Sequence, residues 1–140
     1  MALNLLKLCV GVETVEDLEA SIARRIAGNG THRPFHTTRM VPRRAEELLE
    51  GGSLYWVIRG NVQARQRLEA IDPFTDAEGI SRCRLVLDPA LQRTRWQPRR
   101  PFQGWRYLAA KDAPPDLGAD DDMAGLPGEL QRELADLGLL

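Results

Sequence analysis

The run SLYWVIR, Ser53 to Arg59, constrains the fold of this chain more than any other stretch of the sequence. Aromatic and β-branched side chains fill it, so the pattern predicts a hydrophobic strand. A short helix is predicted just before it, because Pro42 suits the first turn of PRRAEELLE and Gly51 ends that segment. The chain is therefore expected to pass directly from a helix through a glycine turn into a strand.

The other segments add strands and helices without a regular strand–helix–strand alternation. An apolar run at Leu3–Val12 is typical of a buried strand, and Thr14 then suits the N-cap of a helix that ends near Gly28. Further strands are predicted at four places: residues 35–41, 80–88, 91–97 and 104–110. Residues 72–79 are predicted as a turn or loop.

The segment NVQARQRLEAI, Asn61 to Ile71, fits two patterns. Ala64, Leu68 and Ile71 form a helical stripe, and Ala, Gln, Arg, Leu and Glu are good helix formers. The same segment also alternates between an apolar and a charged face, as a strand does, and Gly60 leaves room for a hairpin. The sequence leaves the two interpretations open.

These elements predict an α+β fold with a mixed or antiparallel sheet and two or three flanking helices, and closure of the sheet into a small barrel is one form it could take. A length of 140 residues is most simply one domain. We place that domain at residues 1–111. Residues 112–140 are predicted as an acidic linker and a short C-terminal helix, carried by Leu130, Leu134 and Leu137, that packs on or near the domain.

Charge is distributed unevenly along the chain. Thr31–Lys111 contains fifteen basic and eight acidic residues, whereas Asp112–Leu140 contains one basic and eight acidic residues. Such a separation is a hint of nucleic-acid contact. The alternative is that the basic and acidic segments neutralise each other within the fold.

The basic part of the chain is almost entirely arginine, and in PRRPFQGWRYL arginines are interleaved with aromatic residues. Arginine binds phosphates in bidentate geometry, and aromatic rings provide stacking surfaces for bases. The alternative is that the tryptophans belong to the core. Strand alternation places Trp105 and Tyr107 on one face and Arg106 on the other, without showing which face is inward. The candidate residues for binding RNA or a nucleotide-like anion are Arg99, Arg100, Arg106, Arg43, Arg44, Arg65, Arg67, Trp96, Trp105 and Tyr107.

No catalytic, metal or cofactor motif is present in the sequence, so we assign no catalytic residue and expect no cofactor. His32 and His36 are separated by Pro34 in a loop-like stretch, which is a poor metal pair, although either could carry a proton. The run Asp120–Asp122 is expected to be solvated. Cys9 and Cys83 are predicted to be buried free thiols. We expect a cytoplasmic protein without a signal peptide and without membrane contact.

The strings KLCVGVETVEDL, GGSLYWVIRGNVQARQRL, RCRLVLDP and RRPFQGWRYL resemble a bacterial family catalogued as domain of unknown function 1489, from about Lys7 to Leu140. The resemblance implies a small cytoplasmic bacterial protein and brings no activity with it. A helix ending in Gly-Gly, followed by SLYWVIRG and a second strand, is also similar to the opening of PUA-like barrels. That group includes RNA-binding and modified-base-binding domains, and the similarity requires Asn61–Ile71 to be a strand.

The leading hypothesis from the sequence is a non-catalytic module that binds RNA or a nucleotide-like anion. One alternative is an enzyme for a small anionic or nucleotide substrate, with His32 or His36 as proton carrier, and a pocket holding a histidine and two or more arginines would favour it. Another is a structural or partner-binding protein that docks through its C-terminal helix.

Overall fold

The computed structural model describes residues 3–29 and 34–117. The predictions made for His32, for Asp120–Asp122 and for the C-terminal helix lie outside these residues. In chain order, the elements are β1 (Leu3–Leu8), α1 (Val15–Asn29), β2 (Phe35–Thr38), α2 (Ala45–Leu48), β3 (Ser53–Ile58), β4 (Asn61–Thr75), β5 (Ser81–Leu87), β6 (Gln92–Pro98), β7 (Trp105–Ala109) and a 3-10 turn (Ala110–Asp112). The helix predicted at residues 42–50 is confirmed only over α2.

All these strands belong to one mixed sheet. Its order is β2-β5-β4-β3-β1-β7, and β6 also pairs with β4. The β1–β3 pair is parallel and the other named pairs are antiparallel. The structure therefore confirms an α+β fold with a mixed sheet. The sheet does not close into a barrel, since β2 and β7 end its path without pairing with each other.

The ambiguous segment at Asn61–Ile71 is a strand. Arg59 and Gly60 both have positive φ, 49° and 84°, which is the backbone of a tight hairpin turn that matches the twist of the strands beside it. The resulting strand β4 pairs with β3 and continues to Thr75, where it pairs with β5. Cross-strand pairing outweighs the helix propensity of these residues. The loop predicted at residues 72–79 is therefore wrong up to Thr75.

Both faces of the sheet are covered, which explains the uninterrupted burial of β3. On one face, α1 packs Val15, Leu18 and Ile22 against core residues that include Leu5 and Trp56. The opposite face has a smaller cluster of Leu6, Tyr55, Val57, Val62 and Leu108, against which Phe102 and Ala113 pack.

The segment Ala110–Leu117, which we call the strap, follows β7 and lies against this second face. Its end pairs with β6: the Arg95 amide donates to the Pro115 carbonyl at 2.9 Å, and the Leu117 amide donates to the Arg93 carbonyl at 3.0 Å. The strap thus contributes a short extra strand beside β6. It also brings the first residues of the acidic segment onto the sheet.

Candidate functional site

Arg65, one of the predicted anion-binding residues, is already occupied by a carboxylate. Its Nε and Nη2 atoms donate to the Asp116 carboxylate at 2.8 and 2.7 Å, and its Nη1 donates to Ser53 Oγ at 2.9 Å. This pair supports the alternative that the basic and acidic segments neutralise each other, at least at this position.

The aromatic members of the predicted site are mostly buried. Trp96 and Trp105 are each only 7% exposed, and Trp105 Nε1 donates to the Met40 carbonyl at 3.0 Å. Neither indole can act as an open stacking platform, so that part of the prediction is corrected: both rings fill interior space. Tyr107 lies on the same face as Trp105, as the alternation predicted, with 4.9 Å between ring centroids. It is 38% exposed.

Arg44 lies beside Tyr107, at the β7 edge of the sheet. Its guanidinium pairs with Glu47 and lies 5.6 Å from the centroid of the Tyr107 ring. Arg99 donates to Gln97 Oε1 at 2.6 Å. Arg106 donates to the Gln103 carbonyl at 3.0 Å. These arginines are bound to their own neighbours rather than gathered around one cleft.

Three further predicted arginines are open to solvent. Arg43, Arg67 and Arg100 are exposed and have no ion-pair partner within residues 3–29 and 34–117. None of the three lines either of the cavities described below. They are available for long-range attraction of an anion, but they do not build a pocket.

A pocket with the features of a small binding site lies instead at the end of β1, between α1, β2 and β3. This cavity, which we call the His36 pocket, has a volume of about 200 Å³. Among the lining residues within 3–29 and 34–117, none is Asp or Glu, and two are cations, Lys7 and Arg25. The other polar or aromatic residues of its lining are Cys9, Ser21, His36, Thr37 and Trp56.

The ring of His36 stands edge-on to Trp56, with 4.7 Å between centroids. Burial, and then the nearby charges of Arg25 and Lys7, lower the pKa of His36 to about 3. Burial also raises the pKa of the Cys9 thiol to about 11, although Arg25 and Lys7 act in the opposite direction. At neutral pH the imidazole and the thiol are therefore both uncharged, and the charge of the pocket comes from the two cations.

Sequence reasoning singled out His36 but missed Lys7 and Arg25. The signal for Lys7 was present, because it continues the inward alternation of Leu3 and Leu5 in β1. A charged side chain at an inward position indicates a place where the core gives way to a polar cavity. Arg25 gave no such signal, since it is exposed and lies beside the apolar stripe of α1.

His36 gives a prediction for stability against pH. Its folded pKa is depressed from 6.5 to about 3, so between these pH values the unfolded chain binds a proton that the folded chain does not. The contribution of the neutral His36 ring to the free energy of unfolding is therefore complete above pH 6.5 and decreases as the pH falls below that value. We expect the unaltered chain to lose up to about 1.4 kcal/mol per pH unit more than His36→Gln in this window. Urea denaturation at several pH values measures this, and parallel curves for the two proteins would contradict it.

Two classes of feature are absent from the described part of the chain. In residues 3–29 and 34–117, no group of three or more His, Cys, Asp or Glu side chains is placed to hold a metal ion. No helix in these ranges has the length and apolar character needed to cross a membrane. Cys9 and Cys83 are both free thiols, and Cys83 is buried as predicted, whereas Cys9 is only half-buried.

Comparison with known proteins gives one family. No curated protein and no solved structure gives a significant match to the chain. The model of the family described as protein of unknown function (DUF1489) matches residues 5–140, nearly the whole sequence. The matched range includes every residue that lines the His36 pocket. The resemblance noted from the sequence is thereby confirmed, and the chain belongs to the DUF1489 family.

Proposed function

We propose that this protein is a non-catalytic binding module for a nucleotide-like anion, and that the His36 pocket is its binding site. The observation that carries the proposal is the charge of that cavity. Lys7 and Arg25 line it together with the rings of His36 and Trp56, and the described lining residues include no carboxylate that offsets the two cations. A pocket of this kind attracts a negative group and discriminates against a positive one.

The two cations have complementary roles in this proposal. The Arg25 Nη1 atom donates to the Phe35 carbonyl at 3.2 Å, which fixes the guanidinium at the pocket and leaves its other nitrogens available for an oxyanion. Lys7 supplies a compact second charge from the end of β1. A phosphate or carboxylate of the ligand would lie between them.

The size and rim of the pocket define the rest of the ligand. A volume of about 200 Å³ is below the roughly 300–1,000 Å³ of pockets for drug-sized molecules, so only a small group enters. Val10 lines the pocket and is 90% exposed. An apolar side chain at the mouth favours a ligand with a flat or apolar portion outside the cavity, as a nucleobase has.

Binding is favoured over catalysis because of the state of His36. A base whose pKa lies near 3 is protonated too rarely at neutral pH to carry protons efficiently. Among the described residues, the pocket lining also contains one arginine, whereas the enzyme hypothesis asked for two or more. The sheet is open, so the likeness to PUA-like domains and their base-binding role supplies no support, and the proposal does not depend on it.

The test is isothermal titration calorimetry with adenosine monophosphate, with adenosine and inorganic phosphate as separate probes. We expect the monophosphate to bind most tightly and Lys7→Gln to weaken it about tenfold, the effect of losing one charge-assisted contact. Arg67→Gln is the matched control, because it removes one exposed cation that does not line the pocket. Equal losses in the two variants would overturn the assignment to this pocket.

A second readout is the titration of His36 itself. A bound phosphate offsets the charges of Lys7 and Arg25, so we expect it to raise the pKa of His36 in nuclear magnetic resonance titrations. A single-stranded RNA that binds with no loss in Lys7→Gln, but with losses in Arg43→Gln and Arg100→Gln, would instead assign binding to the open arginines.

A further inference from the structure

A second and larger cavity lies on the opposite face of the sheet, beneath the strap. This cavity, which we call the strap pocket, has a volume of about 370 Å³ and is bounded by β1, β3, β4 and the strap. Its polar lining consists of Asn4, Ser53, Tyr55, Arg65 and Asp116. Unlike the His36 pocket, it holds an ion pair at its wall.

The guanidinium of Arg65 is fixed before any ligand arrives. Its Nη1 atom donates to Ser53 Oγ at 2.9 Å, and the Ser53 amide in turn donates to Asn4 Oδ1 at 2.9 Å. Ser53 and Asn4 are buried. The remaining edge of the guanidinium, Nε and Nη2, is therefore presented as a planar fork, which is the geometry that receives the two oxygens of a carboxylate.

A carboxylate already lies on this fork, and it comes from the strap. Asp116 accepts from Nε and Nη2 of Arg65 at 2.8 and 2.7 Å. The strap around it is connected to β6 by two amide–carbonyl hydrogen bonds near its end, those of Arg95 and Leu117. Nearer β7 the strap is held more firmly, because Ala113 packs on the second cluster and Arg99 Nη2 donates to the Asp112 carbonyl at 3.4 Å. Pro115 and Asp116 are exposed, so the end of the strap is the part that can separate, while the fork beneath it is built into the sheet.

We propose that the strap pocket is a second ligand site, specific for a small carboxylate, and that Asp116 occupies the place of the ligand carboxylate in the free protein. The ligand would take over the fork of Arg65 and the strap would move off β6. Tyr55 and Asn4 line the empty space beside the fork, so a carboxylate that carries a hydroxyl or another acceptor fits best. Burial raises the pKa of the Tyr55 hydroxyl, which keeps it protonated as a donor. This inference is independent of the His36 pocket.

The test uses glycolate and acetate as probes, titrated into the full chain while the Nε–H resonance of Arg65 is followed. We expect weak binding to the unaltered chain and about tenfold tighter binding to Asp116→Asn, as for a site that is open in about one molecule in ten. Asp112→Asn is the matched control, since it removes one carboxylate from the same strap without touching Arg65. We expect Arg67→Gln to leave binding unchanged. In Arg65→Gln, which lacks the Nε–H and is followed at the Leu117 amide instead, we expect no binding.

A measurement on the unaltered chain covers the case in which a variant fails to fold. Glycolate is expected to speed hydrogen exchange at the Leu117 amide, because displacing Asp116 breaks the bond from that amide to Arg93. An unchanged exchange rate at saturating glycolate would overturn the proposal. So would glycolate affinities that are equal in Asp116→Asn and Asp112→Asn. Neither of these two outcomes would affect the test of the His36 pocket.

Discussion

Gly52→Ala is expected to lower the free energy of unfolding by more than about 4 kcal/mol, or to prevent folding, when measured by urea denaturation. A Cβ atom at this position would lie 2.1 Å from the Leu3 carbonyl oxygen and 2.4 Å from the Leu48 carbonyl oxygen. Both neighbours are backbone atoms, so neither can move aside as a flexible side chain would. The clash can be relieved only if α2 and the start of β1 move away from the start of β3.

Gly28→Ala is the matched control for this substitution. Gly28 lies in α1 and a Cβ there would meet nothing within 4 Å. Alanine has the higher helix propensity, so we expect the control to be unchanged or more stable by up to about 1 kcal/mol. A Gly52→Ala protein as stable as the control would show that the backbone does not approach this closely.

Gln66→Leu is expected to cost about 3 kcal/mol, although leucine is apolar and the position is buried. Gln66 Oε1 accepts from Trp56 Nε1 at 2.9 Å, and Gln66 Nε2 donates to the Asp88 carbonyl at 2.9 Å. Leucine leaves both partners without a hydrogen bond, at about 1–3 kcal/mol for each buried group. Thermal or urea denaturation measures the loss, and we expect Gln103→Leu, at an exposed position, to stay within about 0.5 kcal/mol.

A double-mutant cycle can isolate the contribution of the hydrogen bond between Trp56 and Gln66. Trp56→Phe removes the donor that Gln66→Leu leaves without a partner, so the double variant should be less destabilised than the sum of the two single variants by about 1 kcal/mol or more. Strictly additive costs would mean that this hydrogen bond does not stabilise the core. The result also bears on the His36 pocket, because the Trp56 ring forms its wall.

Much of the fold was predictable because several elements have local signals. The run of aromatic and β-branched residues identified β3, and the N-cap and apolar spacing identified α1. The segment Asn61–Ile71 could not be assigned, because its helix propensity is local while the pairing that makes it a strand comes from β3, β5 and β6. The predicted loop at residues 72–79 began too early in the same way, since Pro73 pairs with Cys83 within β4 and the turn comes only after Thr75.

The candidate site was less predictable than the fold. Arginine-rich composition shows that cations are abundant, but not which carboxylate each one meets. Arg65 was predicted as an anion ligand, and its anion turned out to be Asp116, 51 residues away in sequence. Lys7 and Arg25 come from separate elements, and only the packing of α1 on the sheet brings them to one cavity. The number of charged residues in a segment does not show which of them the fold brings together.

The pairing of β1 with both β3 and β7 has a consequence for how the protein is made. Leu3 pairs with Ala109, so β1 obtains its second neighbour only after about a hundred further residues have been synthesised. The hairpins from β3 to β5 have short loops and can form early, whereas one edge of β1 stays unpaired until β7 has been synthesised. We expect nascent chains that stop before β7 to expose β1 and to need chaperones until β7 arrives.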